Sequence, residues 1–490
     1  MMADGKKVLK AGLGYTIGNY FLKGLNFLTI PIFSRILSTT DYGIYNTFAA
    51  YENIMFIIIG LAIHSAYKNA RYKYGLVSEG SKPGKDYYSF VSATMVFLII
   101  SVCIWLLIGN IFTDLWSMVL GIDRLAINLL ILFSFSNAVL LCFNTDVGLE
   151  YKYNSFLKVS GVNAIGNIVL SLILICFVFT EQRYMGRIVG SVIPIFGIAI
   201  YIIYRFLKRG VVSQVGSFLK WGITYSLPIV PHGLSQVILT QFDRIMIAKM
   251  IGDAAAGIYS FAFNIYMIIS ITAQSLDNVW APWFYENMNA GNEKNIKEKS
   301  NMYMTLMLFF SAFVLLISPE MIKILGAKEY WDASYCVIPI IAGGFFSFLY
   351  TLPVGVEYYR EKTKYIAAGT IGAAVINIVL NYICIPLFGY VAAAYTTLAT
   401  YILYFAFHYI LAWKIEGKTL FSNKVISAVS VAILAVSAFA VICIDYLWLR
   451  WGAAVVLLVI AVIYVEKKTA YVSKILNMIN GGIKTWKQKN

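Results

Sequence analysis

Charge is what this sequence has least of. Only 13% of its 490 residues are Asp, Glu, Lys or Arg, against 60% hydrophobic, and the mean hydropathy is +0.74. A water-soluble domain carries about 25% charged residues, so a soluble globular class is excluded. Histidine is scarce as well: His64, His232 and His408 are the three, far apart in sequence, and no His/Asp, Ser/His or metal-spaced cluster forms around them. The six cysteines (Cys103, Cys142, Cys176, Cys336, Cys384 and Cys443) stand singly in different apolar stretches without C-x-x-C spacing. They read as small hydrophobes, not as metal ligands or disulfides. No G-x-x-x-x-G-K-[ST] occurs, which removes P-loop nucleotide chemistry.

What is present is a succession of apolar stretches of the length a bilayer demands, about 20 residues each. They fall near 11–35, 42–66, 87–110, 125–148, 156–180, 187–205, 221–249, 255–280, 302–325, 334–356, 365–388, 390–412, 425–444 and 448–465. The expected fold class is therefore all-α integral membrane, with about 14 transmembrane helices by this pattern. The start, MMADGKKVLKAGLG, is basic and then apolar, but the stretch runs on too long for a signal peptide and no A-x-A-like site closes it, so it reads as a retained first span. Placing the N-terminus inside puts 29 of the 39 basic residues on the cytoplasmic side, with both termini cytoplasmic. That spread also accounts for the net charge of +15 without a nucleic-acid partner, because no soluble domain gathers the cations into a patch.

The chain repeats itself. Arg35-Ile-Leu-Ser-Thr-Thr-Asp-Tyr-Gly43-Ile-Tyr-Asn46 is echoed 214 residues on by Lys249-Met-Ile-Gly-Asp-Ala-Ala-Ala-Gly257-Ile-Tyr-Ser260. Val147-Gly-Leu-Glu150-Tyr151 is echoed by Val354-Gly-Val-Glu357-Tyr358 at 207, and Asn167-Ile-Val-Leu-Ser171 by Asn377-Ile-Val-Leu-Asn381 at 210. Each echo relates spans six apart, and an even number preserves direction. The organisation expected is a six-helix lobe over 1–208, a second over 209–420 related to it by an axis along the membrane normal, and an additional helix pair over 421–466. Over 467–490 a basic amphipathic cytoplasmic tail is expected to lie on anionic lipid. The polar segments 67–86 and 281–301 read as short cytoplasmic loops. No outward loop exceeds about 20 residues, which leaves no room for an external catalytic domain.

Ionisable groups deep in a span cost several kcal/mol unless they face water or a partner, so function is sought at them. Lys23, mid-way along the first span, and Arg244, inside the end of the seventh, are candidates for a cavity that binds an anion. The alternative for both is a buried ion pair with Glu52 or Asp243. Arg35 and Lys249 are boundary cations that either join that cavity or anchor to headgroups. Glu52, Asp243, Asp277 and His232 are candidates for ion coupling. Glu150 and Glu357, near Lys152 and Arg360, are candidates for gating salt bridges or plain interfacial charges. Asp41 and Asp253 read as helix caps, and Gly43 and Gly257 as turn glycines. Pro228 and Pro231 should bend the seventh span and make it a hinge.

The segment Arg35 to Asn46, its partner ending Gly257-Ile-Tyr-Ser260, and Asn-Val-Trp-Ala-Pro-Trp-Phe-Tyr-Glu-Asn-Met (Asn278 to Met288) together resemble the Wzx-type polysaccharide-transport flippases. These belong to the multidrug/oligosaccharidyl-lipid/polysaccharide exporter superfamily. The resemblance covers roughly residues 6–415. It implies a bacterial cytoplasmic-membrane protein, alternating access between two lobes and a cationic cavity. The implied cargo is an undecaprenyl-pyrophosphate-linked oligosaccharide repeat unit, with a proton or sodium gradient as driving force and no cofactor. Membrane lipids and polysaccharide assembly proteins are the implied partners. The extra helix pair is similar to the fourteen-span lipid II flippase branch, which favours several arginines near the inner end of the first span where this chain has Lys23. A small-molecule cation antiporter of the same superfamily is the first alternative and a membrane polysaccharide-processing enzyme the second.

Overall fold

Inside a bilayer every backbone N–H and C=O must be satisfied within the protein, which leaves an apolar chain little choice but helix. The computed structural model describes residues 5–75, 85–210 and 215–469, and among the described residues there are helices, turns and short loops but no strand. The basic tail expected over 467–490 lies outside them from residue 470 onward. The helices are α1 (Gly5–Ile36), α2 (Thr39–Gly60), α3 (Tyr67–Gly75), α4 (Lys85–Ile111), α5 (Thr113–Leu120) and α6 (Arg124–Leu149). Then come α7 (Tyr153–Ile173), α8 (Arg183–Leu207), α9 (Val215–Ser226), α10 (Val230–Met250), α11 (Asp253–Asn289) and α12 (Glu293–Leu325). The remainder are α13 (Ala333–Leu349), α14 (Thr351–Tyr359), α15 (Thr363–Phe388), α16 (Ala392–Glu416), α17 (Asn423–Ile442) and α18 (Leu447–Thr469).

Among the described residues, 11 helices are long and apolar enough to cross a membrane, or 12 if α2 and the segment Ile63–Gly75, bent by 52°, form one span. Helix α1 and the interrupted α9–α10 cover the expected first and seventh stretches but fall outside that count. The two expected loops are corrected. Residues 67–75 form α3, and α11 runs on to Asn289 before α12 starts at Glu293. Hydropathy marks where lipid ends, whereas Glu, Lys and Met continue a helix into water at little cost.

Local chemistry fixes the helix ends. Ser38 Oγ accepts from the Asp41 amide at 3.1 Å while Asp41 Oδ2 accepts from the Ser38 amide at 3.3 Å, a reciprocal cap on α2. Asp41 is thus a cap, as its position suggested. Gly43 and Gly257 are not turn residues. Each lies inside a helix, and a Cβ built on Gly43 would sit 1.8 Å from the Asp253 carbonyl oxygen, one on Gly257 2.0 Å from that of Thr39. The two close approaches are reciprocal: residue 39 stands to 253 as 43 stands to 257.

By contacts the chain forms two compact units, Met1–Ser260 with Thr370–Tyr390, and Phe261–Gly369 with Val391–Asn490. This division follows contact density, whereas the boundary at 208/209 follows the sequence repeat. In the first unit α2 packs on α6, α8 and α10, and α6 also on α4, around Phe48, Tyr67, Tyr87, Phe90, Phe143 and Phe206. In the second, α13 is enclosed by α12, α16 and α17. Helices α17 and α18, the additional pair, both lean on α12.

The buried Arg450 of α18 holds that arrangement. It donates to Glu320 Oε2 on α12 at 2.6 Å, to the Leu316 carbonyl at 2.9 Å and to the Cys443 carbonyl at 3.1 Å. Removing one partner of a buried pair leaves an uncompensated charge. Arg450→Ala is therefore expected to destabilise the detergent-solubilised protein by about 3–5 kcal/mol, and Arg450→Ala/Glu320→Ala by less. An unchanged unfolding temperature in Arg450→Ala would disprove the staple.

Candidate functional site

Helix α6 presents Asn137, Leu140, Leu141 and Asn144 at the i, i+3, i+4, i+7 spacing that puts side chains on one face. Opposite them α2 presents Glu52, Asn53 and Phe56, and the seven residues line a cavity of about 260 Å³. Glu52 is buried, and Asn137 Nδ2 donates to its Oε1 at 2.8 Å. Asn53 spends one amide proton on the Ala49 carbonyl at 2.7 Å. The buried Asn144 Oδ1 has no hydrogen-bond partner. One carboxylate and three amides around an open volume make a site that can exchange hydrogen bonds with a polyhydroxylated guest.

A second polar cluster lies in the same unit. Asp243 on α10 is buried, its Oδ2 accepting from Tyr259 Oη and its Oδ1 from Asn381 Nδ2, both at 2.6 Å. Asn381 Nδ2 also reaches Asn377 Oδ1 at 3.2 Å. Its repeat-related counterpart is built on Asn167 and Ser171 of α7 and Tyr45 of α2. There the Arg187 guanidinium stands 4.7 Å from the Tyr45 ring centroid and 4.1 Å from that of Phe33. Arg187 donates to Ser171 Oγ at 2.8 Å and to Asn167 Oδ1. The echoed residues thus enclose an anion in one copy and a cation in the other.

The predicted cations are distributed along unit one, and none of them lines the Glu52 cavity. Lys23 is half-buried on α1, whose packing is mainly on α7. Arg244 is buried on α10 and donates to Gln241 Oε1 and, at 3.2 Å, to the Thr240 carbonyl. Arg35 is exposed and donates to the Pro31 carbonyl at 2.8 Å, and Lys249 is exposed and donates to the Val119 carbonyl. Around Pro228 and Pro231 the helix breaks: α9 stops at Ser226, a tight turn covers Leu227–Ile229, and α10 begins at Val230. His232 follows that break, half-buried, with its Nδ1 buried and unpartnered.

Of the two echoed glutamates, Glu150 ends α6 beside Lys152, with Arg71 at 3.9 Å and Tyr88 Oη at 3.4 Å. Glu357 does not pair with Arg360. It is fully buried against His408 Nδ1 at 2.7 Å, while Arg360 takes Glu416 at 2.6 and 3.0 Å. The hydrogen bonds it donates to the Glu416 carboxylate hold the Arg360 guanidinium above its usual range. Asp277 is half-buried on α11, with the phenols of Tyr303 and Tyr285 in its field. Arg187, Asn137 and Asp146 are buried or half-buried polar groups that the sequence pattern did not single out, and His408 stood there only as one of three scattered histidines. Asp146, buried on α6, accepts from Tyr87 Oη at 2.7 Å.

A bundle of long apolar helices that keeps hydrogen-bonded carboxylates, amides and guanidinia in its interior defines a multi-pass membrane protein. Residues 8–288 match the profile described as polysaccharide biosynthesis protein, and residues 228–383 match the MatE profile. The chain belongs to the polysaccharide biosynthesis protein family, within the multidrug/oligosaccharidyl-lipid/polysaccharide exporter superfamily, and is a transporter, not an enzyme. It is 22% identical over 391 residues to the Lsg locus putative protein 1 of Haemophilus influenzae, covering 76% of this chain and 90% of that one. It is also 22% identical over 386 residues to the probable low-salt glycan biosynthesis flippase Agl15 of Haloferax volcanii, covering 78% of each. In fold it is similar to the lipid II flippase MurJ in an inward closed conformation, with a TM-score of 0.65 and 16% identity over 93% of this chain and 99% of that one. An inward-facing multidrug resistance MATE family transporter gives 0.60 and 14% over 81% and 95%.

Proposed function

We propose that this chain is a flippase for lipid-linked glycan. In this reading it moves undecaprenyl-pyrophosphate-linked oligosaccharide repeat units across a bacterial cytoplasmic membrane, with both termini cytoplasmic, and hands them to polysaccharide assembly. The observation that carries the reading is the polar cavity at Glu52, Asn53, Asn137 and Asn144. Each sugar hydroxyl taken unpaired into hydrocarbon costs about 2–7 kcal/mol, so a headgroup of several sugars does not cross unaided. Amides and a carboxylate facing an open volume replace the lost water. The names of the glycan flippase Agl15 and of MurJ support the same cargo class.

Alternating access asks for two matched halves, and the fourteen-span, two-lobe organisation is part of the proposal. It is supported by the reciprocal contact at Gly43 and Gly257, whose partners stand at one offset. A proton or sodium ion is the proposed driver, and the buried oxygens of Asp243, Asn377 and Asn381 form a candidate cation site. A second reading, export of small organic cations, draws on two observations: Glu52 is the charged group lining the cavity, and residues 228–383 match MatE.

Purified protein in liposomes separates the two. With lipid-linked oligosaccharide in one leaflet, the flippase exposes sugar to a glycosidase added on the other side. A cation antiporter leaves the sugar protected and moves a fluorescent cation against a pH gradient. In cells, Lys23→Ala and Arg244→Ala are each expected to reduce surface glycan at least tenfold while the protein stays inserted and abundant. Wild-type glycan in both variants would remove Lys23 and Arg244 from the transport path.

A further inference from the structure

Among the ion pairs between described residues of the second unit, one has both side chains fully buried. Glu357 on α14 and His408 on α16 are both fully buried, with Glu357 Oε1 2.7 Å from His408 Nδ1. Their other polar atoms, Glu357 Oε2 and His408 Nε2, have no hydrogen-bond partner. The surroundings are aromatic: the imidazole lies 4.7 Å from the Tyr404 ring, 5.1 Å from Phe407 and 6.0 Å from Tyr350. On the far side α15 contributes Gly369, where a Cβ would come within 2.7 Å of Nε2.

Charge must balance in such a place. A lone carboxylate in an apolar interior is prohibitively costly, and the Glu357 carboxylate has one possible counter-charge within ion-pair distance among the described residues, His408. The titratable groups that face the pair are phenols: Tyr350 and Tyr358 from the α13–α14 side and Tyr404 from α16, with Asp277 beyond Tyr350 and Tyr358. Gly369 of α15 brings none, and Arg360 is engaged by Glu416. The pair therefore stays neutral as a whole only while it holds one proton beyond a bare carboxylate and a neutral imidazole, either on the Glu357 carboxyl or as the second N–H of an imidazolium. Giving that proton up leaves an anion that must be met by water, so release requires the α14–α16 interface to open.

We infer that Glu357 and His408 form a proton-binding site, loaded and occluded in this conformation, that exchanges its proton when the helices of the second unit part. The ligand is the proton itself, and the inference rests on the gradient-driven transport proposed above. In transport the balance is simple: one proton enters from one side, is held between Oε1 and Nδ1, and leaves to the other as the cargo moves. No bond other than O–H or N–H forms or breaks.

The substitution that separates this role from mere packing is Glu357→Gln. Its amide donates to Nδ1 and preserves the link between α14 and α16, but it cannot lose or gain the proton. In liposomes with equal sodium on both sides and a pH difference of one unit, the wild-type protein is expected to bias the distribution of lipid-linked oligosaccharide about tenfold. That is the ratio one coupled proton supplies at about 1.4 kcal/mol per tenfold. Glu357→Gln is expected to equilibrate the same substrate between leaflets without bias, at an unchanged unfolding temperature, and His408→Gln to do likewise. A tenfold bias retained in Glu357→Gln overturns the inference while leaving the flippase reading intact. Absence of any flipping by the wild-type protein overturns that reading instead. Should His408→Gln fail to fold, the outcome for Glu357→Gln decides alone.

Discussion

Leucine in place of Gly43 is expected to leave almost no folded protein in the membrane, and Gly257→Leu is expected to do the same. A Cβ at Gly43 falls 1.8 Å from the Asp253 carbonyl oxygen and 2.9 Å from the Gly257 nitrogen, and one at Gly257 falls 2.0 Å from the Thr39 oxygen and 3.0 Å from the Gly43 nitrogen. All four obstacles are backbone, which cannot rotate away as a side chain does. To reach an ordinary contact the two helices would have to part by roughly 1.5 Å in an interior packed like an organic crystal. Even Gly43→Ala, which by helix propensity alone should gain about 1 kcal/mol, is expected to lose stability, because overpacking costs about 1–3 kcal/mol. The measurement is monodisperse yield and unfolding temperature of a fluorescent fusion in detergent. Gly24→Ala serves as control, since a Cβ there meets nothing within 4 Å. Wild-type behaviour of Gly43→Leu would show that this contact is dispensable.

The same glycines mark where the sequence stops being informative. Local rules were legible in part: Asp41 helps cap α2, with Ser38 as the partner that was not singled out, and Pro228 and Pro231 interrupt a helix where proline must. The repeated motifs are visible as well, Gly-Ile-Tyr and Asn-Ile-Val-Leu recurring at nearly one offset. What those repeated residues touch was not legible. Gly43 reads as a turn glycine until α11 is seen to cross it. Glu357 has Arg360 three residues on, yet its partner is His408, 51 residues away. Arg187 and Arg450 stand at the edges of apolar stretches, where hydropathy assigns a cation to water, and only packing shows one among aromatic rings and the other buried against Glu320. Asn137 and Asn144 looked like ordinary span residues because an amide carries no charge to betray it. Their role depends on α2 bringing Glu52 and Asn53 opposite. Sequence gives the period of a face, and tertiary pairing gives its chemistry.

Removing the Asp243 carboxylate is expected to cost both stability and transport. Asp243→Ala removes the acceptor that the buried Tyr259 hydroxyl and the buried Asn381 amide share, while Asn381 Nδ2 keeps its contact with Asn377 Oδ1 at 3.2 Å. Weakening the hydrogen bonding of a buried donor costs about 1–3 kcal/mol, so a loss of that order is expected, together with loss of transport. Asp243→Asn divides that effect. Its side-chain oxygen still accepts from one of the two donors, but its own NH₂ opposes the other and the negative charge is gone. It is expected to fold with roughly half the destabilisation and still to transport less than a hundredth as fast as wild type. The repeat explains why charge matters here beyond bonding. The counterpart cluster at Asn167, Ser171 and Tyr45 contains the Arg187 cation, whereas in this cluster the echoed residues surround the Asp243 carboxylate. Flipping in liposomes, scored beside unfolding temperature, tests the point. If Asp243→Asn transports at the wild-type rate, the carboxylate serves only to hold Tyr259 and Asn381 in place, and the Asp243 cluster is a hydrogen-bonded joint, not a cation site.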